Sequence, residues 1–138
     1  WRNLVRKRGG RILVADDDAG TREMLSAYLA KLGLEAVTAE DGQEALDAVR
    51  TEAPDAVILD LAMPAMDGMT FLEKLRANPL HSGLPVIVLT GKELSRQDLK
   101  ALGDTASGVL YKEEEDMEEH LKDMLGSIFQ LAGTEASG

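Results

Sequence analysis

Five short apolar runs, each followed by a stretch of helical spacing, constrain this chain more than any other feature. The runs are Ile12-Leu13-Val14-Ala15, Leu34 to Thr38, Ala56-Val57-Ile58-Leu59, Val86-Ile87-Val88-Leu89 and Gly108-Val109-Leu110-Tyr111. Near-continuous apolar strands are buried on both faces, and parallel neighbours need long crossovers. Strict strand–helix alternation therefore predicts a parallel sheet with right-handed helical connections covering both sides. The helical patterns carry their own punctuation. Met24, Leu25, Tyr28, Leu29 and Leu32 share a face, and Gly33 stops that helix. Asp41-Gly42-Gln43-Glu44 is a capping box for the second helix, and Met69, Leu72 and Leu75 mark the third. A weaker helix runs from Ser95 to Leu102, and Asp116 is expected to cap the last, whose stripe includes Met117, Leu121, Leu125 and Phe129.

Composition narrows the class. A chain of 138 residues suits one domain, a size that buries roughly 68% of its unfolded surface. A net charge of −10 argues against nucleic acid as a partner of the domain body. The absence of cysteine excludes disulfides, thiolate metal sites and cysteine nucleophiles. No apolar run reaches the ~20 residues of a membrane span, and no signal peptide is visible. A cytoplasmic location without membrane contact is the expectation.

The polar residues that carry chemistry end the strands. Asp16 and Asp17 follow the first, Asp60 the third, Thr90 ends the fourth and Lys112 follows the fifth. In an open α/β sheet, ligands bind beyond the carboxyl ends of the strands, at the switch point. Three carboxylates converging there repel one another, and a hard cation relieves the repulsion. Mg²⁺ takes one or two carboxylates plus water and phosphate oxygens. A hydroxyl and an ammonium beside it suit the oxygens of a transferred phosphoryl group. Asp60 is then the natural nucleophile, because an aspartate carboxylate can form an acyl phosphate.

Four strings carry a family resemblance: Leu13-Val14-Ala15-Asp16-Asp17-Asp18, Leu59-Asp60-Leu61-Ala62-Met63-Pro64-Ala65-Met66-Asp67-Gly68, Val88-Leu89-Thr90-Gly91 and Leu110-Tyr111-Lys112. Together they resemble the receiver domain of two-component response regulators, with every element in order from Arg11 to Leu131. The resemblance implies a flavodoxin-like, doubly wound five-stranded sheet in the order 2-1-3-4-5. It implies a Mg²⁺ site at Asp16, Asp17 and Asp60 with the Ala62 backbone carbonyl. Asp60 becomes the phosphoacceptor, Thr90 the switch hydroxyl and Lys112 the ion-pair partner of the phosphoryl oxygens. The implied donor is a histidine kinase or a histidine phosphotransfer domain, and the domain is a phosphoacceptor rather than a turnover enzyme.

Each residue also has a plainer role. An isolated acidic pair is more often a helix cap, a threonine can simply end a strand, and a lysine can simply be solvated. Asp18 is expected to cap the first helix, Asp67-Gly68 to start the third, and Glu113 to Asp116 to form a solvated acidic patch favoured by the helix dipole. Neither His81 nor His120 has an evident catalytic partner. The chain also departs from the family pattern. Val109 stands where an aromatic switch residue is common, with Tyr111 on the same strand face, and Glu113 stands where proline usually follows the lysine. The Lys112–Glu113 bond is expected to be trans, because a non-proline cis bond costs about 2.5–4 kcal/mol. Ala62 and Lys92 flank the phosphoryl position and point to slow hydrolysis.

The expected organisation is an upstream linker helix over 1–10, a receiver over 11–132 and a tail over 133–138. A start at Trp1 rather than Met suggests a piece of a longer chain, with the C-terminal receiver of a hybrid histidine kinase first and a stand-alone regulator second. Two readings from other classes compete. A Mg²⁺-dependent aspartyl-phosphate phosphatase of the haloacid dehalogenase type would use the Asp16-Asp17-Asp18 spacing but leaves Asp60 idle. A receiver-like module that only binds partners leaves all five polar strand-end residues idle.

Overall fold

The computed structural model describes residues 10–63, 66–91 and 93–129. Five parallel strands form one sheet: β1 (Arg11–Ala15), β2 (Glu35–Ala39), β3 (Ala56–Leu59), β4 (Val86–Thr90) and β5 (Gly108–Tyr111), in the order β2-β1-β3-β4-β5. The intervening helices are α1 (Ala19–Lys31), α2 (Gly42–Glu52), α3 (Gly68–Ala77), α4 (Arg96–Leu102) and α5 (Met117–Phe129), with a 3₁₀ turn at Pro79–His81. This is the expected flavodoxin-like order. The expected linker helix and tail lie outside the described residues.

Alternation along the strands divides the core in two. Leu13, Val57, Leu59 and Val88 face α2, α3 and α4, where Ala45, Val49, Phe71 and Leu102 pack against them. Ile12, Val14, Ile58 and Leu89 face α1 and α5, where Leu25, Leu29, Leu121 and Leu125 close the opposite layer. The central strands β3 and β4 are thus buried along their whole length because both of their faces are covered, while the edge strand β2 leaves Glu35 and Thr38 exposed.

The helix starts follow the expected chemistry with two corrections. Asp18, Asp67 and Ser95 accept from backbone N–H groups of Thr21, Thr70 and Asp98, each at the residue before its helix. Asp41 likewise accepts from Glu44 N–H at 2.8 Å. The first correction is that the Glu44 carboxylate reaches past Asp41 to Glu40 N–H at 2.6 Å, so the box closes one residue early. The second concerns Asp116. Its φ of 41° lies in the left-handed region, unlike the extended conformation of the other caps. Its carbonyl accepts from His120 N–H at 2.9 Å, but the turn before α5 is organised by Glu114.

Candidate functional site

The sheet order brings the ends of β1 and β3 side by side. Asp60 N–H donates to the Ala15 carbonyl at 2.9 Å, and Asp16 N–H to the Ala39 carbonyl at 3.1 Å. These bonds fix the two aspartates just past the strands, where α1 and α3 diverge to opposite faces and leave a crevice. Carboxylate oxygens of Asp16, Asp17 and Asp60 all lie within 4.8 Å of one another. Asp16 is 2% exposed and Asp60 5%, whereas Asp17 is open to solvent.

Lys112 supplies the opposing charge. Its Nζ lies 2.8 Å from Asp16 Oδ2 and 3.8 Å from Asp60 Oδ2. Asp16 Oδ1 accepts from Asp18 N–H at 2.9 Å, and Asp60 Oδ1 from Ala62 N–H at 3.2 Å. Burial pushes the Asp60 carboxyl up to about 6; the Ala62 N–H opposes this, Asp16 adds to it, Lys112 opposes it and Asp17 adds again. Burial alone would lower the Lys112 ammonium, but the hydrogen bond to Asp16 and the surrounding carboxylates outweigh it and the net shift is upward. Asp18 is held below the ordinary carboxylate range, first by the Thr21 hydroxyl at 2.6 Å and then by the Thr21 amide at 2.9 Å. Asp18 therefore caps α1, as expected.

Thr90 is 1% exposed at the end of β4, beside Tyr111 in the neighbouring strand. A groove of about 460 Å³ opens there, lined by Thr90, Gly91, Leu94, Leu99, Tyr111 and Glu113 among others. Val109 and Tyr111 pack on the same side of the sheet, as period-two alternation requires. Ala62 is exposed next to Asp60, while Lys92 lies outside the described residues. The Lys112–Glu113 bond is trans, like every peptide bond described.

Three contributors were not foreseen. The Arg22 guanidinium donates to the Asp16 carbonyl at 2.8 Å and reaches Glu40 at 3.8 Å, bracing the β1 end from the first turns of α1. The sequence marks Gly68 only as a helix start, yet a Cβ there would lie 2.6 Å from both the Asp60 carbonyl oxygen and Leu61 Cα. Glu114 is not simply solvated and His120 is not without a partner, because their side chains meet at 2.8 Å. The signal for Gly68 was its place eight residues after Asp60 in the motif. Nothing local distinguishes Glu114 from Glu113 or Glu115.

Comparison with known proteins agrees with this fold. A family model described as the response regulator receiver domain matches residues 12–125. The response regulator MprA of Mycolicibacterium vanbaalenii is 39% identical over 102 residues, covering 74% of this chain and 43% of that protein. The chain thus spans less than half the length of this curated relative. Chemotaxis protein CheY4 of Vibrio cholerae superposes with a TM-score of 0.77 at 31% identity, covering 86% of this chain and 98% of that one. The signal receiver domain of a signal transduction histidine kinase from Syntrophus aciditrophicus superposes with a TM-score of 0.78 at 26% identity, covering 88% and 90%.

Proposed function

The chain belongs to the response regulator receiver domain family, and from that premise we propose that Asp60 accepts a phosphoryl group from the phosphohistidine of a histidine kinase or phosphotransfer domain. One observation carries the reading. The Asp60 carboxylate sits buried at a strand end, with an amide on one oxygen, an ammonium 3.8 Å from the other and two more carboxylates beside it. Attack by a carboxylate oxygen forms the new P–O bond as the P–N bond breaks, and the donor imidazole leaves with the electron pair. The product is an acyl phosphate, formed once per chain rather than turned over.

The residues present fit Mg²⁺. Three carboxylates face one ammonium, the donors are all hard oxygens, and the Asp60 carboxyl is pushed up to about 6 by burial first and by its acidic neighbours. Asp16, Asp17 and Asp60 would hold the ion together with the Ala62 carbonyl. When bound, the ion supplies positive charge for the equatorial oxygens of the transferred group. The chain's own residues do the rest. Lys112 reaches Asp60 and would pair with a phosphoryl oxygen, Thr90 would offer its hydroxyl to another, and the Ala62 amide orients the nucleophile. Tyr111, beside Thr90 in the next strand, would report the change in place of an aromatic residue at 109.

Donor and acceptor meet in the cytoplasm on this reading, without nucleic acid or membrane contact by the domain itself. Among the described residues no helix is long and apolar enough to cross a membrane. The likeness to a histidine kinase's receiver supports a place in a hybrid kinase, and the likeness to MprA and CheY4 supports a response regulator. Incubation with acetyl phosphate and Mg²⁺ tests the site. The expected result is one stable label per chain on Asp60, lost in Asp60→Ala, with Asp17→Ala mainly weakening Mg²⁺ binding. Turnover of many equivalents would favour a phosphatase, absence of label a partner-binding module, and undiminished label in Asp60→Ala would refute the assignment.

A further inference from the structure

The turn that leads Lys112 out of β5 is closed by a single side chain. Glu114 N–H donates to the Tyr111 carbonyl at 3.1 Å, and Tyr111 N–H donates back to Glu114 Oε1 at 2.9 Å. Tyr111 to Glu114 is therefore a four-residue turn bonded in both directions, with Lys112 and Glu113 at its centre. Lys112 N–H points to β4, where the Thr90 carbonyl accepts it at 2.9 Å. By strand alternation Tyr111 N–H points the other way, to the open edge of the sheet, where such a group ordinarily meets water. A carboxylate takes that amide here, and its second oxygen lies 2.8 Å from His120 Nδ1 on α5. The Tyr111 amide, and after it His120, holds the Glu114 carboxyl below the ordinary range. One residue thus ties the strand end, the turn and the last helix together. The Lys112 stem then runs past Gly91, where a Cβ would lie in ordinary van der Waals contact with Lys112 Cδ at 3.6 Å.

We propose that Glu114 is a positioning residue for Lys112: its carboxylate fixes the turn that aims the ammonium into the acidic pocket, 2.8 Å from Asp16 and 3.8 Å from Asp60. The inference rests on reading Asp60 as phosphoacceptor and Lys112 as the cation for its phosphoryl group. It assigns work to a glutamate at a turn where the family pattern has Lys-Pro. The lysine side chain has four rotatable bonds, so the direction in which its Cα is presented limits where the ammonium spends its time.

The test is the rate of Asp60 labelling of the full chain by acetyl phosphate with Mg²⁺. Glu114→Ala is expected to slow labelling about tenfold, the scale of one lost charged hydrogen bond. Glu114→Gln keeps an acceptor for the Tyr111 amide and is expected to retain most of the rate. Mg²⁺ affinity should not fall in either, because an ammonium that leaves the carboxylates no longer competes with the ion. The double variant Glu114→Ala/Lys112→Ala should label no more slowly than Lys112→Ala, because the effect travels through the lysine. An unchanged rate in Glu114→Ala, additive losses in the double variant, or a matching loss of Mg²⁺ affinity would overturn the proposal. Amide hydrogen exchange gives an arm independent of phosphorylation. Tyr111 N–H should exchange at least about tenfold faster in Glu114→Ala while the β1 and β3 amides stay protected; equal exchange overturns the turn-closing role. A wild-type chain that takes no label refutes the reading of the site, and the Tyr111 amide then still decides the turn.

Discussion

At the residue scale the site concentrates on Asp60, whose carboxyl is pushed from 3.8 to about 6 chiefly by burial. A folded-state value above the unfolded one means that the fold prefers the protonated form. The contribution is full below about pH 4 and is lost as pH rises through about 6, a difference of roughly 3 kcal/mol at neutral pH. Asp60→Asn removes the titration while keeping the shape. In chelator the variant should therefore be more stable than wild type at pH 7, and the gap should shrink as the pH falls to 4. Urea unfolding at the two pH values measures this; equal gaps would show that the fold does not raise the Asp60 carboxyl. The same substitution leaves Asp16 with its short contact to Lys112, so the ion pair at 2.8 Å survives as an internal control.

At the scale of elements, α3 is pressed against the loop that carries Asp60. Gly68 opens the helix with Asp67 as its cap, and the missing Cβ lets the first turn touch the Asp60 carbonyl and Leu61. Both atoms that a Cβ would meet at 2.6 Å belong to the backbone, so neither can swing aside. Gly68→Ala should therefore displace α3 or the loop, costing about 1–3 kcal/mol by overpacking despite the better helix propensity of alanine. A lowered urea midpoint with slower Asp60 labelling is the expected pair of results. A lowered midpoint without loss of labelling rate would mean that the helix yields rather than the site. Gly108 is a contrasting case. A Cβ there would meet the flexible end of Met124, which can move, so substitution at that position should be milder.

At the scale of the whole molecule, the fold gathers three carboxylates from separate segments around one ammonium. Ligand linkage gives the size of the effect. Mg²⁺ at about 100 times its dissociation constant should stabilise the wild type by about 2.7 kcal/mol. Asp60→Asn should gain less, because one of the three carboxylates is neutral. Thermal unfolding with and without Mg²⁺ tests the prediction; equal gains would place the ion elsewhere. The net charge of −10 adds a general attraction for cations, so a KCl control at matched ionic strength separates site binding from screening.

The sequence alone determined the layers and which carboxylates meet the lysine. Apolar runs with interleaved helical spacing dictate a parallel sheet covered on both faces, because buried backbone must pair and parallel strands must be connected over the top. Polar residues at the strand ends then had one place to go, and Asp16, Asp17, Asp60 and Lys112 do converge there. Caps at Asp18, Asp41 and Asp67 were legible because capping is a local bargain between a side chain and an amide three residues on. Only the tertiary structure decided the rest. Arg22 finds the Asp16 carbonyl because α1 folds back over β1, and Gly68 matters because the Asp60 loop lies against it. Of three consecutive glutamates only Glu114 closes a turn, since its direction depends on a backbone that passes through φ 41° at Asp116 and on where α5 sets His120. Such contacts join groups whose separation in space follows from the packing of helices and strands, and no local pattern of residue types encodes it.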